Sequence, residues 1–179
     1  MKTKGNHAGV PIVGFVGASG SGKTTFVERL VAYFAEAGLR VLCVKHTPHG
    51  YDAGAPDTDS ARYKRAGAVC SMAHDGSTVS MVVDAPNLSD PEKIAALYAG
   101  DVDLIVAEGY KKSGVAKIEV SRAAVSTALL MAGRPELLAV IADYDLQPGV
   151  PVFDFRDVAG IATLIESTFG PFDLDESFE

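Results

Sequence analysis

Short apolar runs alternate along this chain with stretches of helical spacing, and their order predicts the architecture. Ile12, Val13, Phe15 and Val16 form a run of strand length between Pro11 and Gly17. Phe26, Val27, Leu30, Val31 and Phe34 then recur at the spacing of one helix face. They predict an amphipathic helix that ends near Ala37, with Gly38 as its C′ residue. Residues 40–45 are a second apolar run, so the opening third reads as a βαβ unit with parallel strands. Residues 45–56 are rich in glycine and proline and lack any period. They read as a loop leaving the carboxyl end of that strand, the edge at which open α/β sheets bind ligands.

A short polar helix is predicted over residues 57–66, closed by Gly67. Two β-rich runs, 68–73 and 78–83, flank His74-Asp75-Gly76-Ser77, a hairpin signal that interrupts the parallel pattern and belongs at a sheet edge. Ser89-Asp-Pro-Glu92 opens a helix to about Ala99 in the manner of a capping box. Apolar runs at 104–107, 116–120 and 137–142 predict further strands, and Val152 and Phe153 a last short one. Residues 122–134 show no usable period. A closing helix starts near Asp154, with Val158, Ile161, Leu164 and Ile165 on its apolar face. Residues 1–10 read as a disordered lead, 11–170 as one domain and 171–179 as an acidic tail. No internal repeat or low-complexity linker interrupts them.

Charge narrows the function. The net charge of −7 supplies no basic stripe for nucleic acid, so an anionic ligand must be held by local groups. No apolar run approaches the roughly 18 residues of a membrane helix, and the N-terminus has no apolar core of a secretory signal. Cys43 and Cys70 lie in apolar segments and read as buried, reduced thiols, which points to the cytoplasm.

The chemistry concentrates at the end of the first strand. Gly17-Ala18-Ser19-Gly20-Ser21-Gly22-Lys23-Thr24 fits the phosphate-loop pattern at each fixed position, with a strand before it and a helix after it. In such a loop backbone N–H groups and the positive helix end converge on a polyphosphate. Gly17, Gly20 and Gly22 let the backbone approach it, and residues 17–25, through Thr25, form the expected nucleotide contact. Lys23 would reach the β- and γ-phosphates and Thr24 would ligate Mg²⁺. The expected fold is therefore α/β of the P-loop NTPase kind: a mostly parallel sheet flanked by helices, with an antiparallel hairpin at its edge.

Glu108 ends an apolar strand, the position from which a carboxylate serves the metal opposite the loop threonine; Asp103 precedes that run and sits at its wrong end. Lys23 and Glu108 are thus the candidate catalytic groups. Gly109 could sense a γ-phosphate through its amide. Lys45, His46 and His49 stand at the rim of the same edge. Phosphate or ligand contact, a solvated loop and a metal are all open for the histidines. Asp57 and Asp59 could approach Mg²⁺, or Asp57 could cap a helix. Asp143 could accept hydrogen bonds from a guanine edge or simply form a turn.

Together Gly17–Thr25, Lys45-His-Thr-x-His49, Asp57-Thr-Asp-Ser-x-Arg62, Asp103-Leu-Ile-Val-Ala-Glu-Gly-Tyr-Lys111 and Lys117-Ile-Glu-Val-Ser-Arg122 resemble the MobB family of molybdopterin-guanine dinucleotide biosynthesis adaptors. The resemblance implies a GTP-binding homodimer with weak GTPase activity. Such a protein assists the guanylyltransferase that attaches GMP to molybdopterin. It also implies phosphate and Mg²⁺ contacts from residues 20–25, with Glu108 on the metal side. Pro48 stands where the family commonly has a histidine. A P-loop kinase of a small metabolite is the alternative, but the chain's seven arginines form no lid-like insert, and only Arg62 and Arg65 could serve as a pair. A module whose nucleotide is purely structural is a third.

Overall fold

The computed structural model describes residues 9–47, 58–84, 90–97 and 102–172. Two compact units divide the chain, the first from residues 1–46 and 90–179, the second from residues 47–89. In the first unit the elements are β1 (Ile12–Val16), α1 (Lys23–Glu36) and β2 (Val41–Lys45). The second unit supplies α2 (Asp59–Arg65), β3 (Cys70–His74) and β4 (Val79–Val83). The first resumes with α3 (Pro91–Leu97), β5 (Leu104–Glu108), β6 (Ala116–Ser121), β7 (Leu137–Ala142), β8 (Val152–Phe153) and α4 (Val158–Phe169).

Six strands form one sheet in the order β2-β5-β1-β6-β7-β8, and each neighbouring pair is parallel. The helical crossover from β1 to β2 leaves a slot that β5 fills, so β1 lies between β5 and β6 and its carboxyl end is central. Alternation along the strands sorts the side chains into two layers. Val13, Phe15, Leu104, Val106, Ile118, Val120, Ala139 and Ile141 pack with Phe26, Leu30 and Phe34 of α1 and Ile161 and Ile165 of α4. On the other face Ile105 and Ala107 join Val44 and Tyr110, while Val16, Val140 and Ala142 pack with Met131. Phe15, Phe26, Leu30 and Phe34 are at most 1% exposed, and each contributes about 1.5–3 kcal/mol by leaving water. The apolar face of α1 is thereby fixed to β1, and the loop joining them is held at both ends.

Among the described residues the hairpin pairs within itself as a separate two-stranded sheet, and the edges of the main sheet are β2 and β8. Met72 faces Met81 across it, and Asp75 organises the turn by accepting hydrogen bonds from the amides of Ser77 at 3.0 Å and Thr78 at 2.8 Å. Lys64 ties α2 to this hairpin through the Ala68 carbonyl at 2.6 Å and the Asp84 carboxylate at 2.8 Å.

Three expectations change. Both cysteines are free, but neither is buried. Among the described residues Cys43 lies on β2, an edge strand paired with β5, and Cys70 on the open face of the hairpin. The α2 cap is Thr58, whose hydroxyl accepts from Ala61 N, and not Asp57, which lies outside the described residues. Helix α4 begins at Val158 with Asp157 as its cap, while Asp154 accepts from the amide and Nε of Arg156. Residues 122–134 form turns and a single bridge between Arg122 and Ser126, with neither helix nor strand.

The turn amides hold the Asp75 carboxyl below the usual carboxylate range, Ser77 contributing most and Thr78 next. Because the folded pKa is depressed, the turn's contribution to stability is complete above the ordinary carboxylate pKa and is lost as pH falls through the depressed value. Asp75→Ala should therefore lower the exchange protection factors of the Ser77 and Thr78 amides at neutral pH and abolish the fall of those factors in acid, read by NMR hydrogen exchange against intrinsic rates.

Candidate nucleotide site

Residues 17–22 make the turn from β1 into α1, and glycine is required at its start. Gly17 has φ +145°, and a Cβ there would stand 2.2 Å from the Val120 carbonyl oxygen on the neighbouring β6. Gly22 enters α1 in the left-handed conformation and gives it no side-chain cap. No acidic residue stands in the first turn, so the amides there keep their capacity for an external anion. The Ser21 hydroxyl is buried without a hydrogen-bond partner among the described residues, an orphaned polar atom inside the same loop.

Lys23 folds back over the loop and donates to the carbonyls of Ala18 at 2.7 Å and Gly17 at 3.2 Å. Partial burial lowers its pKa, Glu108 opposes that effect, and Lys111 and Lys45 add to it. Three ammonium groups thus act on this corner against the carboxylate of Glu108, in a chain whose net charge is −7.

The parallel register carries Glu108 to the same corner. Phe15 pairs with Glu108 on one side of β5 and Lys45 on the other, so three strands end together. Thr24 Oγ1 donates to both carboxylate oxygens of Glu108, at 3.1 and 3.0 Å. Lys45 Nζ lies 3.3 Å from Glu108 Oε1 and donates to Thr24 Oγ1, also at 3.3 Å. A hydroxyl and a carboxylate already sharing a cation are the hard-oxygen set that suits Mg²⁺, which takes one or two protein oxygens and completes its shell with phosphate and water. Among the described residues no group of three or more His, Cys, Asp or Glu forms an all-protein cage.

Asp103 lies at the far end of β5, where its carboxylate accepts from Arg40 N at 2.8 Å and Arg40 Nη2 at 3.0 Å. Past Glu108, Gly109 is left-handed at φ +97°, donates to Phe15 O at 3.0 Å and packs on His46. His46 donates from its amide to Glu108 O, and its ring sits 5.3 Å from that of Tyr110. Asp143 accepts from Ala123 N at 2.8 Å and approaches Arg122 at 4.0 Å, while Arg122 lies over the Phe155 ring. Asp59 opens α2 in the second unit and pairs with Arg62 at 3.3 Å. Thr25 is exposed. His49 falls outside the described residues.

A profile of the family described as molybdopterin guanine dinucleotide synthesis protein B matches residues 12–143. The chain belongs to the MobB family. A relative from Escherichia coli (strain K12), a molybdopterin-guanine dinucleotide biosynthesis adapter protein, is 29% identical over 166 residues, spanning 87% of this chain and 91% of the relative. A crystal structure of molybdopterin-guanine biosynthesis protein B superposes with a TM-score of 0.69 at 27% identity, covering 88% of this chain and 98% of that one. The Bacillus subtilis MobB structure gives 0.64 at 27% identity, covering 86% and 97%.

Two buried charges of this MobB-family chain support the site, and the sequence Lys117-Ile-Glu-Val shows them only as polar residues alternating with apolar ones. Lys117 Nζ donates to the carbonyls of Ser113 at 2.5 Å and Val115 at 2.8 Å; burial lowers its pKa. Glu119 accepts from the amides of Leu130 at 2.6 Å and Met131 at 2.8 Å. Both hold irregular segments against the sheet, where unpaired backbone groups would otherwise be buried.

Gly17→Ala should cost about 3 kcal/mol or more, because backbone must move, whereas Gly20→Ala, with open space around a new Cβ, should cost about 1–2 kcal/mol for its left-handed backbone alone. Urea unfolding of the two variants checks the difference.

Proposed function

We propose that this chain binds GTP with Mg²⁺ at residues 17–25 and acts in the cytoplasm as an adaptor with slow GTPase activity. Its partner on this reading is the guanylyltransferase that joins GMP to molybdopterin. The observation that carries the reading is the meeting of Thr24, Glu108 and Lys23 at the uncapped start of α1. The naming of the Escherichia coli relative as an adapter of molybdopterin-guanine dinucleotide biosynthesis supports the partner class.

Backbone amides of residues 17–25 and the Lys23 ammonium hold the phosphates, and the buried Ser21 hydroxyl gains a partner there. Thr24 and Glu108 hold Mg²⁺, which when bound neutralises charge on the phosphate oxygens. Lys23 and Glu108 are the groups we assign to turnover, the first as a charge beside the γ-phosphate and the second through its hold on the metal side. Gly109 follows Glu108 directly and reports the γ-phosphate through its amide. Asp143 Oδ2 reads the guanine edge while Oδ1 stays on Ala123. Slow turnover is expected because residues 109–114, which follow the strand end, include no water-orienting glutamine and no arginine.

The homodimer belongs to the same proposal, with the hairpin as its seam. Met72, Val79 and Met81 share one face of it and are 59%, 61% and 53% exposed, an apolar surface that a second copy would cover.

Titration with GTP, GDP and ATP in the presence of Mg²⁺ tests the site. GTP should bind best, inorganic phosphate should be the only product, and Lys23→Ala should weaken GTP at least tenfold, about 1.4 kcal/mol, without lowering the unfolding midpoint. Equal GTP affinity in the variant would remove the site from the loop. For the seam, Val79→Pro should elute as a monomer on size exclusion, and a dimer that survives it would move the seam elsewhere.

A further inference from the structure

We propose that Lys45 is a tethered cation that occupies the metal position while the nucleotide is away, so that metal and triphosphate bind cooperatively. The inference rests on the reading of Thr24 and Glu108 as the metal side of the site. Its own support is geometric. Lys45 Nζ bridges the same two oxygen donors, at 3.3 Å from each, that a divalent ion would need. Its place is built in by the fold. Lys45 is the last residue of β2, in register with Glu108 on β5, and the amide of His46 closes that strand pair on the Glu108 carbonyl at 3.0 Å.

An ammonium and a divalent cation cannot share those donors, since their repulsion grows as the separation shrinks to contact distance. The Glu108 carboxylate, only 14% exposed, is kept paired and correctly turned by the lysine in the meantime. The lysine side chain is 54% exposed on a flexible stem, so it can leave without disturbing β2. A triphosphate arriving in the adjacent loop offers the displaced ammonium new anionic oxygens. Each ligand then lowers the cost of the other, which is positive coupling between two sites. The empty protein would accordingly reject free divalent ions and accept them with the nucleotide.

The test uses the full-length, nucleotide-free chain and Mn²⁺ as probe, with free ion followed by EPR. Lys45→Met should bind Mn²⁺ at least tenfold more tightly than the unsubstituted chain, Lys45→Gln should behave alike, and Lys45→Arg should stay near the parent. Adding Glu108→Gln to Lys45→Met should remove the gain. No gain in either neutral variant, including undetectable binding by both, overturns the proposal, as does a gain that survives Glu108→Gln. A parallel series with GTP present separates the two ideas. If Glu108→Gln fails to weaken Mn²⁺ there, the metal reading itself falls. If it does weaken Mn²⁺ while the neutral Lys45 variants show no gain without nucleotide, only the tethered cation falls.

Discussion

The approach of Gly17 to the Val120 carbonyl fixes the geometry from which the site is assembled. A side chain at that position would lie 2.2 Å from backbone oxygen, so the β1–α1 turn can hug the end of β6 only without one. That closeness puts the start of α1 at the central edge of the sheet, and Thr24 follows as its second residue. The other half comes from strand order. With β5 inserted between β2 and β1, one carboxylate and one ammonium end in register beside the loop. Neither segment makes the site alone. A parallel sheet brings strand ends to one side by construction, and the loop threonine meets what they carry.

Support for this edge is unusually polar. The upper layer of β6 offers Ile118 and Val120 to the helices, but its reverse carries Lys117 and Glu119, buried and bonded to main-chain groups. Their hydrogen-bond partners are backbone groups of turns. A turn presents carbonyls and amides that a helix would have satisfied internally, and a long charged side chain can collect two of them at once. The lysine gathers oxygens just downstream of Gly109, and the glutamate gathers amides of the turn region after Arg122.

Much of this was legible in the chain, and the gaps have physical causes. The β1–α1 loop could be read because glycines at fixed spacing stand between a strand and a helix pattern, and the strand-end place of Glu108 because an apolar run ended in an acid. The bridging position of Lys45 could not be read: a lysine closing a strand looks like a solvated rim until the register with β5 is known. The exposure of Cys43 is hidden for a related reason, since an apolar run does not disclose whether its strand is central or at an edge. Residues 122–134 gave no period because they are turns anchored by Glu119 and Asp143, partners distant in sequence. The start of α4 lies beyond Asp154 because the carboxylate that accepts from Gly160 N is that of Asp157.

The far margin of the sheet has its own significance. Strand β8 supplies two residues there, paired to Val140 and Ile141 of β7. A stranger's backbone seeking a template on that side would find one barely long enough for a single rung. Runaway strand addition, the first step toward fibrils, is therefore discouraged along this border by brevity alone, without recourse to charge.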